Sequence, residues 1–414
     1  MKRREFLKSS AFVASSATSL LWAPHSPMAN AAVNTGHNQY FSRLNETLKR
    51  TGPGRPVMLI DTARMNHNID RLVNSVGEEK TYRAVVKSLP SVPLLQHVTQ
   101  RAKTDALMVF HQPFLNAVAQ AFPKSDALLG KPMPVRAAET FYKTLPPNPA
   151  FNPAQQVQWL IDSEARLAQY LNLAKTLGIK IQVNFEIDVG LRRGGFASPD
   201  ALRQALALAA ANPMHLKVTG IMGYEPHLTG MQADLSHPEV QKVLARYHSA
   251  IAQLKTHGLK PENMTLNGAG SHTLKIYERD RTMNDLSAGS GVVMPTDFDT
   301  HHLVANRPAL FIATPILKRY DQNPIVTDRK ERLYYIYGGK WKARMVSPAE
   351  TGEPLYESTN QSPITTPGES NLQVDDYMFL RPTQSEFVML QFGDLLTVTD
   401  GEIDQRWPVF HETG

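Results

Sequence analysis

Thr81-Tyr82-Arg83-Ala84-Val85-Val86-Lys87-Ser88 is a short run rich in β-branched and aromatic residues that ends on a lysine and meets punctuation at Leu89-Pro90. Such a run reads as a buried strand with Lys87 at its carboxyl end. Working outward, the same β-then-α alternation recurs from about Pro56 to Ser290. Val57-Met58-Leu59-Ile60 is read as a strand before an amphipathic segment, Arg64 to Val76. Helix Leu94 to Ala102 follows Lys87, then strand Ala106 to Phe110 and helix Phe114 to Phe122. Trp159 to Asp162 pairs with Glu164 to Leu177, Ile181 to Glu186 with Pro199 to Ala211, and Val218 to Met222 with Pro238 to His257. Repeated units of this spacing indicate a parallel sheet with crossover helices, and their number and the chain length favour a (β/α)8 barrel over an open doubly wound sheet.

The barrel is expected over residues 50–305. From 306 to 414 the texture becomes all-β, with runs at Leu333 to Tyr337, Tyr377 to Leu380, Glu386 to Leu390 and Leu395 to Val398. Asp400-Gly401 is a hairpin signal before Ile403 to Val409. Ser347 to Glu369, rich in Pro, Ser, Thr and Gly, reads as a long loop or insertion.

The first 31 residues read as an export signal. Lys2-Arg3-Arg4-Glu5-Phe6-Leu7-Lys8 is a twin-arginine motif, Ala11 to Trp22 an apolar Ser/Ala-rich run, and Ala29-Asn30-Ala31 a cleavage site. The apolar run is too short to span a bilayer. The expected route is the twin-arginine export machinery, which carries folded proteins, and the expected compartment is the periplasm. Cleavage removes Lys2, Arg3, Arg4 and Lys8 against Glu5, so that the net charge of the 414-residue chain falls from +6 to +3. No basic stripe with interleaved aromatics is present, which argues against nucleic acid as a partner. Cysteine is absent, excluding thiol nucleophiles and thiolate metal sites.

A lysine at the end of a barrel strand, with glycine-rich loops elsewhere, is what a pyridoxal 5'-phosphate enzyme requires. A buried amine loses its proton more readily than a free one and can then bond the cofactor aldehyde. In Asn267-Gly268-Ala269-Gly270-Ser271, residues Gly268, Gly270 and Ser271 can offer N–H groups and a hydroxyl to a phosphate. Gly289 and Ser290 can form a second phosphate arm. In Asp188-Val189-Gly190-Leu191-Arg192-Arg193-Gly194-Gly195, an acidic turn follows a strand, with Arg193 toward the cofactor and Arg192 toward solvent. Gly223-Tyr224-Glu225-Pro226-His227 places Tyr224 beside the pyridine ring and His227 where it can transfer a proton.

This set resembles the D-threonine aldolase/D-serine dehydratase-like family of fold-type III pyridoxal-phosphate enzymes. Arg83 to Ser88 is similar to its Arg-Pro-His-X-Lys-Thr motif, with Pro and His replaced. Glu186 to Gly195 resembles its acidic-glycine-arginine motif, and Asn267 to Thr273 its phosphate loop. The resemblance covers nearly all of the chain beyond the signal. It implies an alanine racemase-like barrel followed by the β-rich C-terminal domain. It further implies that Lys87 holds the cofactor, Arg193 and Tyr224 contact its ring, Gly268, Gly270, Ser271, Gly289 and Ser290 hold its phosphate, and the assembly is a homodimer. The family's divalent metal is held by a Pro-X-His-X-Cys or Pro-X-His-X-Asp motif. Here Arg381-Pro382-Thr383-Gln384-Ser385-Glu386 stands in its place, so Gln384 and Glu386 would have to hold the ion, and an amide is a poor ligand.

The implied activity is cleavage of a D-3-hydroxy amino acid at Cα–Cβ to glycine and an aldehyde, the substrate being a small amino acid. Three alternatives stay open: an amino-acid racemase, a D-serine dehydratase-type elimination, and a pyridoxal-phosphate-binding protein without turnover.

Overall fold

The computed structural model describes residues 36–146, 150–322, 331–349, 351–367 and 370–411. The export signal expected over residues 1–31 lies outside them. A helix, Gln39–Thr51, opens the described chain, its first turn closed by the Asn38 side chain accepting from Phe41 N–H. Strand β1 (Val57–Asp61) follows.

Eight parallel strands then close into a barrel: β2 (Thr81–Val85), β3 (Ala106–Val109), β4 (Asp126–Leu129), β5 (Val157–Ile161), β6 (Ile181–Glu186), β7 (Leu216–Met222), β8 (Thr265–Gly268) and β9 (Asp285–Ala288). Closure runs through β2 and β9, with Thr81 opposite Asp285 and Ala84 opposite Ala288. Three of the crossover helices start where serine side chains cap them. Ser91, Ser163 and Ser198 each accept from the N–H three residues on, worth ~1 kcal/mol apiece.

The barrel interior is polar at one level, and this holds the strands in register. Arg83, 1% exposed, donates from Nε to Asp285 Oδ1 at 2.9 Å and from Nη2 to Asp285 Oδ2 (2.8 Å) and Asp126 Oδ2 (2.6 Å). Gln158 Nε2 donates to Asp126 Oδ1 at 2.8 Å and to Thr265 Oγ1 at 3.0 Å, while Asn267 Nδ2 donates to Asp285 and to Ser287 Oγ. A buried guanidinium is tolerable only with such complete pairing.

The remaining strands form one mixed sheet: β10 (Leu310–Tyr320), β11 (Glu331–Tyr337), β12 (Ala343–Ser347), β13 (Gln361–Pro367), β14 (Tyr377–Pro382), β15 (Asp394–Thr399) and β16 (Glu402–Pro408). Its main order is β12-β14-β10-β1-β15-β16, with β11 on β10 and β13 on β11. The expected first barrel strand, Val57 to Ile60, therefore lies elsewhere: β1 sits in this second sheet, antiparallel to β10 and parallel to β15. Val57 and Leu59 face the opening helix with Phe311 and Phe379, whereas Met58 and Ile60 join the barrel's core. A strand covered on both faces reads as a continuous apolar run wherever it pairs. Two further expectations are corrected. Glu386–Leu390 is a short helix, not a strand, and the expected loop from Ser347 to Glu369 contains β13. The Asp400-Gly401 hairpin is as expected, with positive φ at both residues (53° and 85°), and joins β15 to β16.

Candidate active site

The carboxyl ends of the barrel strands surround a cleft of about 100 Å³, where chemistry sits in this architecture. Lys87 enters from the single-turn helix Val86–Ser88 that ends β2. Its Nζ lies 5.0 Å from the centre of the Phe110 ring and 2.9 Å from Glu386 Oε1, which also accepts from Ser88 Oγ at 3.3 Å. The lysine is not buried as expected: its side chain is 40% exposed and ion-paired.

The glycine loops after β8 and β9 meet beside the turn that carries Lys87. Ser271 Oγ accepts from Gly289 N–H (3.2 Å) and Gly291 N–H (3.0 Å), and its own proton has no acceptor within the described residues. Ser290 Oγ lies 2.9 Å from Ser385 Oγ. Glycine is required where these loops approach their neighbours. A Cβ on Gly270 would lie 2.7 Å from Tyr224 Cε2, and one on Gly289 2.6 Å from Ser88 Cβ. Gly268 lies just behind the cleft, against Tyr247 and Met283.

Tyr224 and Arg193 form one wall. The Arg193 guanidinium stands 5.0 Å from the Tyr224 ring centre, and burial together with the nearby Glu225 raises the phenol's pKa. The loop carrying Arg193 is shaped by Asp188, whose Oδ1 accepts from Gly190 N–H (2.8 Å) and Arg192 N–H (3.1 Å). Arg192 is exposed and does not line the cleft. Behind Tyr224, Glu225 is fully buried and accepts from Thr273 Oγ1 at 2.6 Å, while Thr273 Oγ1 in turn accepts from Gly270 N–H at 3.0 Å. Burial pushes this carboxyl up to about 7.

The structure thus gathers Lys87, Arg193, Tyr224, Gly270, Ser271, Gly289, Ser290 and Glu386 around one cleft. His227 is not among them. It lies in the turn Pro226–Leu228 behind Tyr224, facing the Gly190 loop, with its buried Nδ1 unpartnered. His272, by contrast, lines the cleft, stacked on Phe298 with ring centres 4.2 Å apart, and burial lowers its pKa. Its position directly after Ser271 was the available signal. Phe110 and Phe298 are further wall residues that no motif marks.

A lysine at the mouth, a ring-sized gap walled by Tyr224, and a glycine cradle with a free serine hydroxyl fit pyridoxal 5'-phosphate. The expected metal does not fit. Glu386 turns to Lys87, whereas exposed Gln384 donates from Nε2 to Asp297 Oδ2 at 3.2 Å. Among the described residues no three His, Cys, Asp or Glu side chains converge as a metal site.

A closed parallel barrel with a lysine at its mouth and a β-rich C-terminal region defines the fold-type III pyridoxal-phosphate enzymes. The chain belongs to the family of the alanine racemase N-terminal domain, whose model matches residues 60–296. It is 22% identical over 265 residues to 3-hydroxy-D-aspartate aldolase of Paracoccus denitrificans (strain Pd 1222). That match covers 60% of this chain and spans 65% of the relative's length. Among solved structures, D-threonine aldolase from Filomicrobium marinum superposes with a TM-score of 0.69 at 14% identity, covering 86% of this chain and 96% of that one. The D-threo-3-hydroxyaspartate dehydratase from Delftia sp. HT23 gives 0.70 at 15%, covering 89% and 100%. Alanine racemase of Clostridium difficile 630 gives 0.65 at 15%, covering 86% and 99%. These superpositions establish the fold.

Proposed function

We propose that the chain is a pyridoxal-phosphate-dependent lyase that cleaves D-3-hydroxy amino acids between Cα and Cβ, giving glycine and an aldehyde. The observation that carries the reading is Lys87 Nζ at the barrel mouth, 2.9 Å from Glu386 and facing the Ser271–Gly289 cradle. Bound cofactor supplies the electron sink that accepts the pair released from the breaking bond.

The residues of this chain do the rest. Lys87 holds the cofactor and, once displaced by substrate, is the amine able to return a proton to Cα. Gly270, Ser271, Gly289 and Ser290 hold the phosphate. Arg193 and Tyr224 fix the ring plane. The names of the aldolase and dehydratase relatives support a D-configured hydroxy amino acid as substrate. Racemisation needs a second base on the opposite face of Cα, and His227, turned away from the cleft, is not placed to supply it. Elimination of the 3-hydroxyl is helped by a Lewis acid, whose donors do not converge here. Cleavage is therefore the better reading. We further propose export of the loaded protein to the periplasm by the twin-arginine route, and a homodimeric assembly.

The test is the absorbance spectrum of the purified protein, then incubation with D- and L-threonine. A band near the visible edge that is lost in Lys87→Ala, with glycine and acetaldehyde from the D isomer alone, is expected. Interconversion of the isomers would make the protein a racemase, and a band without any product a binding protein. The absence of a band would remove the cofactor.

A further inference from the structure

Glu386 reaches the cleft from outside the barrel. It starts the five-residue helix Glu386–Leu390 in the C-terminal region, yet its carboxylate lies 2.9 Å from Lys87 Nζ and 3.3 Å from Ser88 Oγ. Its side chain is 24% exposed, which leaves it open to a ligand in the cleft. When Lys87 carries the cofactor, this carboxylate adjoins the place where the substrate's amine and Cα substituents must sit. It is the one carboxylate among the described residues lining the cleft, whose wall otherwise carries Arg193, His272, hydroxyls, aromatic rings and small or aliphatic side chains.

Resting on the lyase reading, we propose that Glu386 is a catalytic residue that takes the proton of the substrate's 3-hydroxyl without a metal ion. As that O–H bond breaks, the oxygen forms the aldehyde carbonyl, the Cα–Cβ bond breaks, and its electron pair stays with Cα and the cofactor. The proton on Glu386 crosses the 2.9 Å contact to Lys87. Lys87 delivers it to Cα, so that the hydroxyl proton ends on glycine and both side chains finish as they began. A carboxylate at the reacting hydroxyl contributes about 10²–10⁴-fold as general base. Gln384 takes no part, being held by Asp297.

The experiment compares wild-type holoenzyme with Glu386→Gln and Glu386→Asp. Three readouts are taken: cleavage of D-threonine before and after EDTA, exchange of the glycine α-proton in D2O by NMR, and Mn2+ binding by electron paramagnetic resonance. Glycine has no 3-hydroxyl, so its exchange needs Lys87 but not the proposed base. Expected are wild-type cleavage that resists EDTA, no tightly bound Mn2+, loss of cleavage by about 100-fold or more in Glu386→Gln with exchange little changed, and an intermediate loss in Glu386→Asp. Cleavage abolished by EDTA and restored by Mn2+ would overturn the proposal. So would a glutamine variant that still cleaves, or one that loses exchange and cleavage equally, which would confine Glu386 to tuning Lys87. A wild type that exchanges glycine but cleaves no D-3-hydroxy amino acid would bring down the lyase reading itself, and this proposal with it.

Discussion

Replacing Glu225 with glutamine isolates the effect of one buried carboxyl on stability. In the native state its pKa is raised from 4.5 to about 7, chiefly by burial. Because the native carboxyl binds its proton more tightly than the unfolded one, folding takes up a proton between these values, and stability must fall as pH rises through the window. With 1.36 kcal/mol per unit, the full effect above the native pKa is about 3 kcal/mol, most of which develops between pH 5 and pH 8. Glutamine keeps a carbonyl to accept from Thr273 Oγ1 and has no charge to bury. Urea unfolding followed by tryptophan fluorescence at pH 5 and pH 8 should therefore show Glu225→Gln gaining stability relative to wild type by about 2–3 kcal/mol over that interval. The gain should be visible at pH 8 and small at pH 5. Equal pH dependence in the two proteins would refute the argument, since it would mean that Glu225 ionises as freely inside the fold as outside it.

Arg83→Met leaves Asp285, 4% exposed, without its main partner, and should cost about 3–5 kcal/mol in urea unfolding. Ser271→Ala removes the acceptor of Gly289 and Gly291 N–H, at about 1–3 kcal/mol. It should weaken pyridoxal phosphate binding by about tenfold or more in a fluorescence titration. Gly289→Ala sets a methyl 2.6 Å from Ser88 Cβ and 2.8 Å from Val85 Cβ, so the end of β2 must shift. It should lose about 1–3 kcal/mol of stability and show cofactor affinity reduced by a similar free energy.

Much of the barrel was legible because short β-type runs alternate with amphipathic helical segments at regular spacing. The strands that escaped notice are those with polar residues turned inward. Asp126–Leu129, Thr265–Gly268 and Asp285–Ala288 are each four residues long and carry members of the Arg83 network, so they lack the apolar signature of a buried strand. The placement of Val57–Asp61 was invisible for another reason: its burial pattern suits either sheet, and its partners lie more than 240 residues away, at β10 and β15. Glu386–Leu390 is a five-residue apolar stretch that periodicity cannot assign. β13 contains Pro363 and Pro367, which argue against a strand unless it lies at an edge, and β13 pairs only with β11. At the site, the motifs located Lys87, Arg193, Tyr224 and both glycine loops. His227 was misplaced because adjacency in sequence says nothing about which side of a turn a ring occupies. The Glu386–Lys87 contact spans 299 positions and has no local trace.

The position of β1 between β10 and β15 sets an order on biogenesis. Strand β1 precedes both of its partners by more than 240 residues, so the second sheet cannot close until β15 has emerged. Until β10 emerges the barrel can form, but the nascent chain keeps one apolar strand unpaired and lacks Glu386 at its mouth. A chain truncated after β9 would have a lysine able to take up cofactor and no carboxylate beside it. Synthesis of the second sheet is thus also completion of the site.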